Sequence, residues 1–139
     1  MSLGASHRIR GYEVDTEAIY RGALLVTVLS VPLAAVAGRL IDDDSGWQVV
    51  IMFAIFAVFF AGGAVSGSMR PETPALHGAL SAVPPVAVLT LVRMTLAALG
   101  DAEFDLVIVA AMFAFGTTLG LLGGVAASRF SDRPRSLIR

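Results

Sequence analysis

The sequence predicts an all-α integral membrane protein: four transmembrane helices arranged as two tandem helical hairpins, with both termini cytoplasmic. Three observations carry this. Of the 139 residues, 56% are hydrophobic and 15% charged, with a mean hydropathy of +0.79, a balance foreign to a soluble domain of this length. Four apolar stretches run approximately from Ala18 to Leu40, Trp47 to Ser68, Ala75 to Leu99 and Phe104 to Phe130, and each reaches the roughly 20 residues that cross a hydrocarbon core about 30 Å thick. Finally, arginine and acidic residues are segregated along the chain.

In order, residues 1–17 form a cytoplasmic N-terminal segment, 18–70 the first hairpin, 71–130 the second and 131–139 a basic cytoplasmic tail. The first apolar stretch contains Ala35-Val36-Ala37, the small-x-small form of a signal-peptide cleavage site. It is expected to be retained, because Glu13, Asp15 and Glu17 precede it where a signal peptide carries positive charge, and its apolar run is too long. Four spans place both termini and the connection between spans two and three on one side. That side holds Arg8, Arg10, Arg21, Arg70, Arg129, Arg133, Arg135 and Arg139, which makes it cytoplasmic by the positive-inside rule.

The opposite loops are acidic, with Asp42, Asp43 and Asp44 in one and Asp101, Glu103 and Asp105 in the other. Three consecutive carboxylates lack the spacing of a calcium loop, so no metal site is read there; Arg39 is placed to pair with Asp42 or Asp43. All ten basic residues are arginine, and lysine and asparagine are absent. This bias points to a high-GC prokaryotic genome and thus to the plasma membrane of a prokaryote. Cysteine is also absent, which excludes disulfides and thiolate metal sites.

An internal duplication is legible. Arg21-Gly22-Ala23-Leu24 resembles His77-Gly78-Ala79-Leu80, Met52-Phe53-Ala54 resembles Met112-Phe113-Ala114, Gly62-Gly63 recurs as Gly123-Gly124, and Arg70-Pro71 as Arg133-Pro134. The offset drifts from 56 (Arg21 to His77) to 63 (Arg70 to Arg133). Hairpins of two spans each would point the same way, related by a pseudo-two-fold along the membrane normal. Independent origin of the hairpins is the alternative.

Glycine, a poor helix former in water, is the contact residue of helices in lipid, where close van der Waals approach replaces the hydrophobic drive. Gly63 and Gly67 form a GxxxG pair with Gly62 and Ser66 alongside, below Phe53, Phe56 and Phe60. Gly116, Gly120, Gly124 and Ser128 make a second stripe, with Gly123 adjacent, and Ala34 and Gly38 a shorter one. Each stripe implies a second backbone lying against it, in the same chain or in another.

Polar residues at membrane depth are few. Arg93 lies about six residues, or roughly 9 Å, from the outer end of the third span, and a charge at the bilayer centre costs at least about 2.5 kcal/mol. It is expected to snorkel and pair with Asp101, Asp105 or the Asp42 to Asp44 group; the functional alternative is an anion or headgroup contact in a cavity. Pro84 and Pro85 remove two backbone donors and should kink the third span, freeing carbonyls near Ser81, while Pro32 adds a smaller irregularity to the first. His77 stands at the cytoplasmic end of the third span, able to cap it, pair with Glu72 or titrate. Thr27, Ser30, Thr90, Thr95, Thr117 and Thr118 are expected to bond their own helix backbones.

The stretch Gly62-Gly63-Ala64-Val65-Ser66-Gly67, with Arg70-Pro71 and His77-Gly78-Ala79-Leu80, resembles a pattern in uncharacterised small four-span membrane proteins of bacteria and archaea. There a GGxxAG helix end, a Pro-containing loop and an HGA helix start join spans two and three; Ser66 stands where many members have alanine. The resemblance implies the four-span fold and no activity. No HExxH, GxSxG or phosphate loop occurs, and no pair of intramembrane carboxylates, so no catalytic, cofactor-binding or metal residue is assigned, and nucleic acid is not an expected partner. Glu17 sits at the mouth of the first span, which weakens a proton-coupled multidrug transporter. Two functional readings remain: a non-enzymatic accessory or assembly subunit packing through its glycine faces as a homo-oligomer or in a larger complex, and an oligomeric small-solute or ion transporter or channel using Arg93, Pro84 and Pro85.

Overall fold

The computed structural model describes residues 6–9, 12–40, 46–100 and 104–131. Strands β1 (Ser6–Ile9) and β2 (Tyr12–Asp15) are followed by α1 (Thr16–Leu40), α2 (Trp47–Met69), α3 (Pro74–Ser81), α4 (Val83–Ala98) and α5 (Leu106–Ser131). Among the described residues the helices make four segments long and apolar enough to cross a membrane, with α3 and α4 together forming the third. In each apolar window only 17 to 33% of the residues are buried inside the chain, so the large exposed side chains along all four, Val28, Phe53, Leu91 and Phe115 among them, need lipid as their solvent. The chain is thus helical and of multi-pass membrane type.

Within the N-terminal segment, residues 6–9 and 12–15 form the antiparallel β1–β2 pair, with Ser6 opposite Asp15 and Ile9 opposite Tyr12. α1 follows without a break and starts at Thr16, two residues earlier than the apolar pattern alone implies. Pro32 leaves it continuous.

The third span divides at Ala82. Pro84 and Pro85 cannot donate to the carbonyls a turn behind; Ala82 instead donates back to Ala79 at 3.2 Å, and helical bonding resumes with Val86 donating to Ala82 at 3.3 Å. Ser81, Ala82 and Val86 are all buried at the break, where Val26, Phe59, Ala82 and Val86 form the apolar core. α4 ends at Leu99 and Gly100, whose φ of +82° is the left-handed conformation that stops a helix at little cost only for glycine.

Below the break the helices meet backbone to backbone. A Cβ on Gly22 of α1 would sit 2.5 Å from the Gly62 carbonyl oxygen and 2.9 Å from Cβ of both Ser66 and Ser81. One on Gly63 would reach Cα of Gly120 at 2.5 Å, and one on Gly67 Cα of Gly124 at 2.5 Å. Helix α2 therefore presents two small-residue stripes about 100° apart: Gly62 and Ser66 toward α1, Gly63 and Gly67 toward α5. Gly78 brings α3 onto Gly120 and Gly124, and Gly123 brings α5 onto the Phe60 carbonyl.

The bulky end of this interface differs from the expected row of Phe53, Phe56 and Phe60. Phe53 is 62% and Phe60 39% exposed; Phe59 is the buried ring, at 8%, against Gly116. Phe56 stacks on Phe115 with centroids 6.0 Å apart. A spacing of three or four residues defines a face, but the neighbouring helix selects which face is covered.

Candidate functional site

Polar side chains converge at one end of the bundle, where α1 begins, α2 ends and α3 begins. Asp15 is the hub. Its Oδ1 accepts the backbone N–H groups of Glu17 (2.9 Å) and Ala18 (3.3 Å), capping α1 by satisfying donors that have no helical partner. Its Oδ2 accepts Nε of Arg70 at 2.7 Å, and a second guanidinium nitrogen lies at 2.7 Å from the same oxygen. The pair is largely covered, with side-chain exposures of 18% for Asp15 and 33% for Arg70. The Arg70 hydrogen bond holds the Asp15 carboxyl below its ordinary value; partial burial opposes this, and the two backbone N–H bonds and the Arg70 charge assist it.

His77 supplies the second joint. Its ring is fully buried, and Nε2 accepts the backbone N–H of Asp15 at 3.0 Å. A backbone N–H can only donate, so Nε2 is the acceptor in this contact. Nδ1 lies 3.0 Å from both the carbonyl and the hydroxyl oxygen of Thr73. Of the roles the sequence leaves open to His77, which include capping and pairing with Glu72, these contacts describe a structural one, with the ring turned inward toward Asp15. The His77 carbonyl in turn accepts the hydroxyl of buried Ser66 at 3.0 Å, and Ser81 donates to Gly78 at 2.8 Å within α3. Among the described residues no buried side-chain polar atom lacks a partner.

This arrangement fixes three chain segments to one another. Among the described residues no three His, Asp or Glu side chains gather as metal ligands. Asp15, Thr73 and Ser66 escape notice in the sequence as members of a cluster. Only Asp15 carries a local signal, as the short acidic residue just before an apolar helix.

Elsewhere, Arg93 is half-buried on α4 and, among the described residues, has no carboxylate within ion-pair distance. Asp105 caps α5 instead, accepting Val107 N–H at 2.7 Å and Ile108 N–H at 3.4 Å. Asp101, Asp42, Asp43, Asp44, the Arg39 side chain and the tail arginines lie outside the described residues. Pro85 is buried, whereas exposed Pro84 lines a shallow recess against α1. Arg21 pairs with Glu17 one turn away on the surface. Thr27, Thr90, Thr95, Thr117 and Thr118 each donate to a carbonyl of their own helix, at 2.7 to 2.9 Å.

α4 and the first half of α5 enclose an open groove of about 610 Å3, lined by Val83, Val86, Thr90, Leu106, Val109 and Phe113 among others. Arg93 is not among its lining residues. The chain matches no known family model, no characterised protein and no solved structure.

Proposed function

We propose that this chain is a non-enzymatic accessory or assembly subunit of a prokaryotic plasma membrane, held with both termini and the Asp15–Arg70–His77 cluster on the cytoplasmic side. The arginine-rich side of the sequence supports that orientation. The observation that carries the reading over transport is the filled interior at the proline break. Ser81, Ala82 and Val86 are buried there, in contact with a core that includes Val26 and Phe59, where a permeation route using the freed carbonyls would need water.

A partner would meet the outer faces. Gly62, Gly63, Gly67, Gly120 and Gly124 already contact backbone of their own chain, which leaves the lipid-facing apolar surface of α4 and α5 for association with a second copy or a larger complex. Gly22 and Gly78, matched in the repeat, pack differently: Gly22 rests on Gly62 and Gly78 on Gly120 and Gly124, while Gly123, the counterpart of Gly62, lies against Phe60 and Ala64 of α2.

Gentle extraction from the native membrane, with identification of what co-purifies, tests the role. Stoichiometric recovery of a membrane complex is expected; a lone monomer that conducts solute in liposomes would sink the proposal. Because the chain has no cysteine, Glu72→Cys and Gly46→Cys report orientation through an impermeant maleimide. Glu72→Cys should label only from the cytoplasmic side.

A further inference from the structure

We propose that the seam between α2 and α5, at the Arg70 end of the bundle, binds one anionic phospholipid, its headgroup on Arg129 and an acyl chain in the trough below. The inference takes from the preceding proposal only that the chain spans a bilayer.

The trough has a volume of about 510 Å3 and is lined by Phe60, Leu122, Val125, Ala126, Arg129 and Phe130. Its shape follows from the close approach at Gly123, where α5 meets the Phe60 carbonyl and the Ala64 backbone. The two helices touch beneath the level of their larger side chains, and Phe60, Leu122 and Phe130, which are 39, 49 and 68% exposed, stand to either side. From Leu122 to Arg129, α5 rises about 10 Å, inside the roughly 15 Å depth of a single hydrocarbon leaflet.

Arg129, in the last turn of α5, is the one charged side chain among the described residues that line the trough. The ion pairs among the described residues join Arg21 to Glu17 and Arg70 to Asp15, so none of the described carboxylates pairs with Arg129. An apolar channel one leaflet deep with a guanidinium at its mouth complements an anionic amphiphile, phosphate against arginine and chain against phenylalanine. A transmembrane partner helix would need a groove running the full bilayer, about 30 Å. The α4–α5 groove has no charge among its lining residues and so offers a headgroup nothing.

The test is native mass spectrometry of the full chain released from nanodiscs of equal phosphatidylglycerol and phosphatidylcholine. The wild type should retain phosphatidylglycerol in preference by about fivefold, the weight of one arginine at an anionic surface. Arg129→Gln should abolish the preference, and Ala126→Leu, which fills the trough and keeps the charge, should lower retention of both lipids. Arg21→Gln, an interfacial arginine outside the trough, should change nothing; helical circular dichroism and monodisperse elution confirm that each variant folds. Equal losses from Arg21→Gln and Arg129→Gln, unchanged retention in Ala126→Leu, or displacement of the lipid by inorganic phosphate would each overturn the proposal. Failure of the chain to enter nanodiscs at all would instead remove the membrane-spanning reading beneath it.

Discussion

The two halves of the bundle are built on different terms. Toward the Asp15–Arg70 end, α1, α2, α3 and the second half of α5 touch through glycines so closely that a methyl group at Gly63 or Gly67 would strike backbone. Toward the other end, α4 (Val83–Ala98) and the first ten residues of α5 contain no glycine, and a groove of about 610 Å3 opens between them. The open half is the more apolar one: the first ten residues of α5 read Leu-Val-Ile-Val-Ala-Ala-Met-Phe-Ala-Phe, whereas its second half mixes glycine, serine, threonine and arginine with leucine. The difference teaches that in lipid hydrophobicity does not bring helices together; the absence of side chains does, by admitting dispersion contacts between backbones.

The sharpest way to break this contrast is Gly63→Leu. The added side chain has only the Gly120 backbone to push against, and the expected loss is about 3 kcal/mol or more, at the upper end of overpacking costs, read as unfolding in a detergent titration. Asp15→Ala comes next, at about 2 to 3 kcal/mol, because it removes a helix cap and the acceptor for Arg70. That loss should depend on pH. The folded carboxyl lies below its ordinary 3.8, so its stabilisation is complete above that value and disappears as pH falls through the depressed folded value. The stability difference between wild type and Asp15→Asn should therefore shrink in acid; a constant difference would show that the charge is irrelevant to the joint.

His77→Phe keeps the volume but leaves the Asp15 amide without an acceptor, for about 1 to 3 kcal/mol. Amide exchange at Asp15 should accelerate in this variant while exchange in α5 is unaffected. The smallest effect belongs to Ala110→Leu, on the α5 wall of the α4–α5 groove. In the open groove the extra carbons meet space rather than backbone, and the change should stay within about 0.5 kcal/mol of neutral. A large loss there would mean that the open half is as tightly specified as the closed one.

Much of this is legible in the amino-acid order. The spans announce themselves by length and apolarity, and the helices begin or end within about two residues of those limits. The break at Ala82 follows from two prolines in succession. The small-residue stripes are visible too, but not their partners: Gly62 and Gly63 are adjacent in sequence yet face α1 and α5 respectively, a distinction that exists only once three helices surround α2. The joint at Asp15 is less legible still. Arg70 is 55 residues from Asp15 and His77 is 62, separations at which no periodicity operates. The β1–β2 pair is hidden for another reason: it is short, and it meets the bundle through Asp15, whose amide is accepted by the His77 imidazole and whose carboxylate takes Arg70.

The close approach of Gly63 to Gly120 also dictates a sequence of events during synthesis. α1 can be capped by Asp15 as soon as it forms, and Gly22 can settle on Gly62 once α2 has entered the bilayer. The carboxylate must then wait for Arg70, and its amide for His77, to leave the ribosome. Throughout that interval Gly63 and Gly67 lie bare to lipid, since the backbone that covers them belongs to α5, made after α1 to α4. The chain therefore closes from its beginning toward its end, and truncation anywhere before Gly120 leaves a half-built bundle with its stickiest surface outward.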